Sequence, residues 1–324
     1  MPGTTRRAIC AGAAGIPIAG KAQAQWAPRQ PIRVLVGFSP GGTADITARM
    51  AQEALQRRSG VQVVVENRTG ALGYIALQAA ARATPDGTTL AIGILGNMVM
   101  GPVVPGSAIP FDLDAEIQPV CNLAGTPMAL IARPDAPFST LAEFVTWARQ
   151  RPGQVTYAST GAGSTNQMAA EYLARVTGLQ LLHVPYRGGA PAGMDLMAGR
   201  VDIFFGNIAE FAGMIRDRQV KALGLASSRP SPMVPELVLL TRDYPALDIA
   251  NWFGLVGAMG IPAEIVANLG RIFTDAMNDP VTVAAMGPRG LEPIREIGPE
   301  FAARIRADRE RWGAVARAAN IRAD

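Results

Sequence analysis

Ile32-Arg33-Val34-Leu35-Val36-Gly37-Phe38-Ser39-Pro40-Gly41-Gly42-Thr43-Ala44-Asp45 runs from an apolar, β-branched segment through a Pro-Gly-Gly turn into a polar helix start. Such a run bounded by a glycine turn reads as a buried strand of an α/β sheet. Working outward, a helix is predicted over 43–58, with apolar Ile46, Met50, Ala54 and Leu55, then a strand over 61–65, a helix over 73–83 and a strand over 89–94. That βαβαβ order implies parallel strands with right-handed crossovers. After an irregular loop at 102–110 and apolar runs at 117–123 and 128–131, the pattern recurs. Strands are predicted at 155–159, 181–184 and 201–205, with helices at 140–150, 166–177 and 190–198. Three helices at 262–278, 280–287 and 299–319 end the chain without a further strand, and they are expected to pack on the first half. At 324 residues the chain is long for one core, so two α/β lobes with a cleft between them are expected.

The first residues differ from the rest. Arg6 and Arg7 precede a small, mildly apolar stretch at 8–20, and Ala22-Gln23-Ala24 fits a signal-peptidase site, so 1–24 is expected to be a removable export signal. Thirteen residues broken by Gly and Pro are too few for a membrane anchor, and Arg6-Arg7 leaves the Sec and twin-arginine routes both open. Cleavage would remove Arg6, Arg7 and Lys21 and lower the formal charge from +4 to +1. No basic block then remains for nucleic acid. Cys121 would be the only cysteine, which excludes an internal disulfide, and a single His argues against a Cys/His zinc site.

Chemistry concentrates in strand-to-helix turns, where helix N-termini present unpaired N–H groups and favour anions. Gly37 to Gly42 has Walker A spacing, but Thr43 and Ala44 stand where Lys and Ser/Thr belong, so a nucleotide is not expected. A plain connection from strand to helix is the alternative. Gly161-Ala162-Gly163-Ser164-Thr165-Asn166 forms a second such turn, in which Ser164 or Thr165 could equally be a helix cap. Tyr186-Arg187-Gly188-Gly189 is a third, with a guanidinium able to pair a carboxylate, and Gly206-Asn207 a fourth. Two facing turns, one per lobe, suit a small molecule bearing carboxylates.

Together with Val64-Val65-Glu66-Asn67-Arg68, Pro85-Asp86-Gly87, Tyr157-Ala158-Ser159, His183-Val184-Pro185-Tyr186 and Trp252-Phe253-Gly254-Leu255, these turns resemble the Bug family over essentially all of 31–319. Those are periplasmic solute receptors of tripartite tricarboxylate transporters. The resemblance implies a two-lobed periplasmic binding protein fold of type II, with lobes at 25–127 plus 249–324 and at 128–248. It implies a monomer without a cofactor that closes on a dicarboxylate, tricarboxylate, acidic amino acid or aromatic acid and meets membrane subunits of a transporter. By motif position, Phe38, Gly41, Gly42, Asp45 and Gly96 or Asn97 would line the first lobe. Ser159, Gly163, Ser164, Thr165, Tyr186, Arg187 and Asn207 would line the second. Ser39 replaces a common Pro, Arg187 a frequent Lys, and Gly206 a frequent acid. The last change removes a partner for a ligand amine, so a plain carboxylate is expected.

Two other classes compete with this reading. His183, the only histidine, ends an apolar strand and reads as structural, and Gly-x-Ser-x-Gly is absent, so a hydrolase is not expected. A receptor that presents its ligand to a sensor would need the same closure and is not separable by sequence.

Overall fold

The first three strands are short, the first and third largely buried and the second a partly exposed edge, and together they set the frame for the site. A computed structural model describes residues 30–318 and 320–322, so the expected export signal lies outside the described residues. β1 (Ile32–Val36) is flanked by β2 (Val63–Asn67) and β3 (Thr89–Ile94) in parallel register, joined through α1 (Thr43–Ser59) and α2 (Tyr74–Ala81). The one polar residue of β1, Arg33, is neutralised across the ladder by Glu66 at 2.8 and 3.1 Å. α1 buries Ala44, Thr47, Ala48, Ala51, Ala54 and Leu55, and stops at Gly60, whose φ of 68° favours a residue without a side chain.

Short helices α3 (Gly101–Val103) and α4 (Leu113–Glu116) lead to β4 (Ile117–Ala132). Sequence reading split this segment into two apolar runs, but it is one continuous 16-residue strand. Its first part pairs antiparallel with β9 (Ala250–Ala258) and β10 (Glu292–Ile297), and Met128–Ala132 pairs instead with β7 (Ile203–Asn207) and β8 (Lys221–Ala226). Pro127, which has no N–H to donate, stands at the switch. The first sheet therefore runs β2-β1-β3-β9-β4-β10. With β5 (Val155–Ser159) parallel to both β6 (Leu181–Pro185) and β7, the second runs β8-β4-β7-β5-β6.

Helices α5 (Leu141–Arg149), α6 (Thr165–Thr177), α7 (Gly189–Met197) and α8 (Ile208–Arg216) complete the second half, and α9 (Ala263–Met277), α10 (Pro280–Met286) and α11 (Pro299–Ala318) the tail. α9 packs on β4 and α1, and α11 on β4 and β10. The predicted absence of a strand after 262 is corrected by β10. Glu-Pro-Ile-Arg-Glu-Ile looks like a loop because it is an edge strand, where Pro and charge are tolerated and protect the edge.

Candidate functional site

Turns from the carboxyl ends of strands in both sheets converge on one crevice, the place where open α/β sheets bind ligands. Its wider part, about 230 Å³, is walled by Phe38, the 70–74 segment, Ser107 and Ala108 on one side. Thr160–Ala162, Tyr186 and Arg187 face them. An inner cavity of about 30 Å³ shares Phe38 and Thr160 as walls and adds Gly42, Thr43, Thr165, Asn166, Asn207, Glu210 and Asn251.

The α1 N-terminus is already engaged. Gly42 caps it without a side chain, and the Thr43 N–H donates to Glu210 Oε1 at 2.8 Å, from the opposite sheet's α8. The Thr43 hydroxyl donates to the same oxygen in a short bond. Asn207 Nδ2 donates to Thr43 Oγ1 at 2.9 Å, and Asn251 Nδ2 donates to Asn207 Oδ1 at 3.2 Å. Anion attraction by the helix terminus is thus met by the protein's own carboxylate. Glu210 is half-buried as a residue, but its Oε2 is enclosed without a partner, and that burial raises its pKa against the lowering effect of the Thr43 and Asn207 hydrogen bonds.

Asp45, expected to line the cleft, instead serves the turn. Its Oδ2 accepts from the Gly41 N–H at 3.0 Å and Arg49 Nε at 2.9 Å, and its Oδ1 from Asn67 Nδ2 at 2.9 Å. Burial pushes its pKa up, but the hydrogen bonds from Arg49, Gly41 and Asn67 and the Arg49 charge outweigh it, so the carboxyl sits below its ordinary value. Gly41, with φ 81°, faces solvent. Asn97 is fully buried and fastens the turn after β3 by accepting from the Ile94 N–H and donating to Leu72 O. Gly96 lets that turn approach Thr165 on the other side: a Cβ there would lie 3.4 Å from Thr165 Oγ1.

On the second sheet, Ser159 is fully buried and its hydroxyl lies 2.6 Å from His183 Nε2 and takes the Gly161 N–H. Ser164 is the α6 N-cap, accepting from the Gln167 N–H at 3.2 Å, and the Gly163 N–H goes to Gln167 Oε1. Tyr186 walls the cleft with its ring while its hydroxyl donates to Asp195, and burial together with that bond and the Asp195 charge pushes its pKa up to about 12. Arg187 is exposed on the cleft wall and makes no ion pair among the described residues, while its carbonyl accepts from the Ser39 N–H and Oγ. Of the predicted residues, Phe38, Gly42, Thr165, Tyr186, Arg187 and Asn207 line the two cavities. Gly41, Asp45, Gly96, Asn97, Ser159, Gly163 and Ser164 shape the turns around them.

Sequence reading missed Glu210, Asn251 and the Gly70–Gly73 loop. An acid in the first turn of α8 is accounted for by the helix dipole alone, so nothing marked Glu210 as reaching another helix. The loop carried a signal, two glycines flanking Ala71-Leu72. All four residues have positive φ (131°, 47°, 53° and 85°), a conformation costing about 1–3 kcal/mol at each non-glycine position. Leu72 is thereby held against the second lobe, where a Cβ on Gly161 would lie 3.7 Å from Leu72 Cδ1. Gly206, the departure from an acid, also has a physical cause, since a Cβ there would meet the Phe211 ring at 2.5 Å.

Residues 47–321 match the family described as the tripartite tricarboxylate transporter family receptor. The chain belongs to that family. Bordetella pertussis Protein BugT is 29% identical to this receptor over 303 residues, 93% of this chain and 92% of that protein. The structure of R. palustris Rpa4515 with adipate is 27% identical and superposes with a TM-score of 0.86, covering 91% of this chain and 99% of that one. MatC from Rhodopseudomonas palustris with bound malate is 28% identical with a TM-score of 0.82, over 89% and 99%. Family and fold are those of two-lobed solute-binding receptors, as the resemblance implied. No helix among the described residues is long and apolar enough to cross a membrane.

Proposed function

We propose that this receptor is exported to the periplasm with cleavage near Ala24. There it closes on a small organic acid and delivers it to the membrane subunits of a tripartite tricarboxylate-type transporter. The lobes are 25–127 with 249–324, and 128–248, hinged where β4 leaves one sheet for the other. The observation that carries the reading is Arg187. It is an exposed side chain on the wall of a 230 Å³ interlobe cleft with no carboxylate paired to it among the described residues, which suits bidentate capture of a carboxylate. Solved relatives hold adipate and malate, which supports a dicarboxylate-sized guest. The Ser159–His183 contact supports a structural role, because Ser159 is fully buried and stacking of Tyr157 on His183 fixes the ring. Neither a cofactor nor nucleic acid enters this reading, and the receptor acts as a monomer.

A thermal-shift screen of C3 to C8 organic acids against the mature protein tests it, since a ligand that binds only the folded state raises the Tm. At least one acid is expected to raise the Tm and to lose that effect in Arg187→Gln. No shift with any acid at millimolar concentration overturns the reading.

A further inference from the structure

The inner cavity reads its guest by hydrogen-bond polarity. Glu210 Oε1 can only accept, so the Thr43 hydroxyl donates to it and must accept from Asn207 Nδ2. Asn207 then presents its Oδ1, which takes the Asn251 Nδ2 proton and leaves Asn251 Oδ1 at the end of the chain. Each link of Glu210-Thr43-Asn207-Asn251 is thus a hydrogen bond donated towards Glu210, with Asn251 Oδ1 left at the far end. Three oxygens of residues lining this cavity have no protein partner: Glu210 Oε2, Asn251 Oδ1 and Thr165 Oγ1. Thr165 and Asn251 are only 2% and 4% exposed, so bulk solvent cannot satisfy them. Asn251 Oδ1 can only accept, and Glu210 Oε2 accepts whenever its carboxyl is ionised.

A carboxylate entering here would meet these acceptors and, with Glu210 ionised, a like charge. From this polarity we propose that the inner cavity takes a hydrogen-bond-donating end of the ligand, an ammonium or hydroxyl, while the ligand's carboxylate faces Arg187. The preferred guest is then a short amino or hydroxy acid rather than a plain dicarboxylate, with Glu210, Asn251 and Thr165 as specificity-determining residues. This assignment rests on the receptor reading above. It also restores, from α8, the amine partner that Gly206 cannot supply. At about 30 Å³ the cavity has room for one such group, a site needing about 10–15 Å³ per water-sized probe.

The test is isothermal titration of the mature protein with length-matched sets from C3 to C6, such as 4-aminobutanoate, 4-hydroxybutanoate and butanedioate. Donor-bearing members are expected to bind at least tenfold more tightly than the matched dicarboxylate. That ratio should fall to near one in Glu210→Gln, and Arg187→Gln should weaken all members of a set together. Gly189→Ala is the second variant, because a Cβ there would overlap Glu210 Oε2 and displace the carboxylate without removing it; it should collapse the ratio too. Dicarboxylates binding as tightly as or more tightly than their donor-bearing counterparts would overturn the proposal and leave the cavity to a buried water only. Binding of no acid in any set would instead sink the receptor reading itself.

Discussion

Replacing Asp45 by Asn separates a residue that touches ligand from one that holds the turn. Both carboxylate oxygens accept hydrogen bonds, from Gly41 and Arg49 on one side and from Asn67 on the other. An Asn side chain of the same shape has one acceptor oxygen, so on one side an NH₂ must face a donor. Arg49 is half exposed and can turn to water, which leaves one buried donor unpaired and a charge-assisted bond lost. The loss comes to about 2–3 kcal/mol. Unfolding entropy of about 2.1 cal/mol/K per residue makes that a Tm decrease of roughly 3–5 °C for a chain of this size. Because Asp45 has a folded-state pKa below its unfolded one, its stabilisation is complete above the unfolded value of about 3.9 and disappears as pH falls through the lower folded value. Melting curves of the two proteins should therefore lie a constant distance apart from pH 5 to 8 and converge below about pH 4. An unchanged Tm at pH 7, or a gap that persists undiminished to pH 2, would refute the positioning role.

Glu210 should behave oppositely. Its folded pKa is raised, so the native state holds its proton more tightly and stability declines as pH rises from about 4.3 through the folded value; the melting temperature of Glu210→Gln relative to the parent should climb over that interval. Ser164→Ala should cost about 1 kcal/mol in chemical denaturation through loss of the α6 cap, and leave ligand affinity within twofold. Gly206→Asp should destabilise by at least about 3 kcal/mol, read by the same denaturation assay, because it drives a carboxylate into the Phe211 ring.

Local physics made much of this architecture readable. Apolar runs at β1, β3 and β5, and the helices from α1 to α7 that follow their turns, carry both periodicity and punctuation in the chain itself. β4 and β10 were hidden for different reasons. The first changes sheets at Pro127, which interrupts its apolar pattern, and the second is an edge strand whose solvent-tolerant residues imitate a loop. At the site, turn positions were legible because glycines and caps mark them, whereas the direction of a side chain was not. Asp45 and Glu210 are both acids in the first turn of a helix. One folds back on its own turn, and the other crosses to Thr43 of the opposing lobe. That difference is set by tertiary packing, with Gly189 making room for Glu210.

Among the described residues, contacts across the crevice include Thr43 with Glu210, Asn207 with Thr43, Asn251 with Asn207, and Ser39 with the Arg187 carbonyl. Under the proposed closure each requires the lobes together, so any change that weakens one would lower the fraction of closed molecules. The apparent dissociation constant of every ligand scales inversely with that fraction, whatever the ligand's chemistry. A lone measurement on Glu210→Gln would therefore confuse weaker closure with altered recognition. The ratio of two ligands' constants does not, because the closed fraction cancels. What remains in the ratio is the difference between an ammonium and a carboxylate in one acceptor-lined cavity, and that difference belongs to Glu210 Oε2 and Asn251 Oδ1 rather than to the hinge.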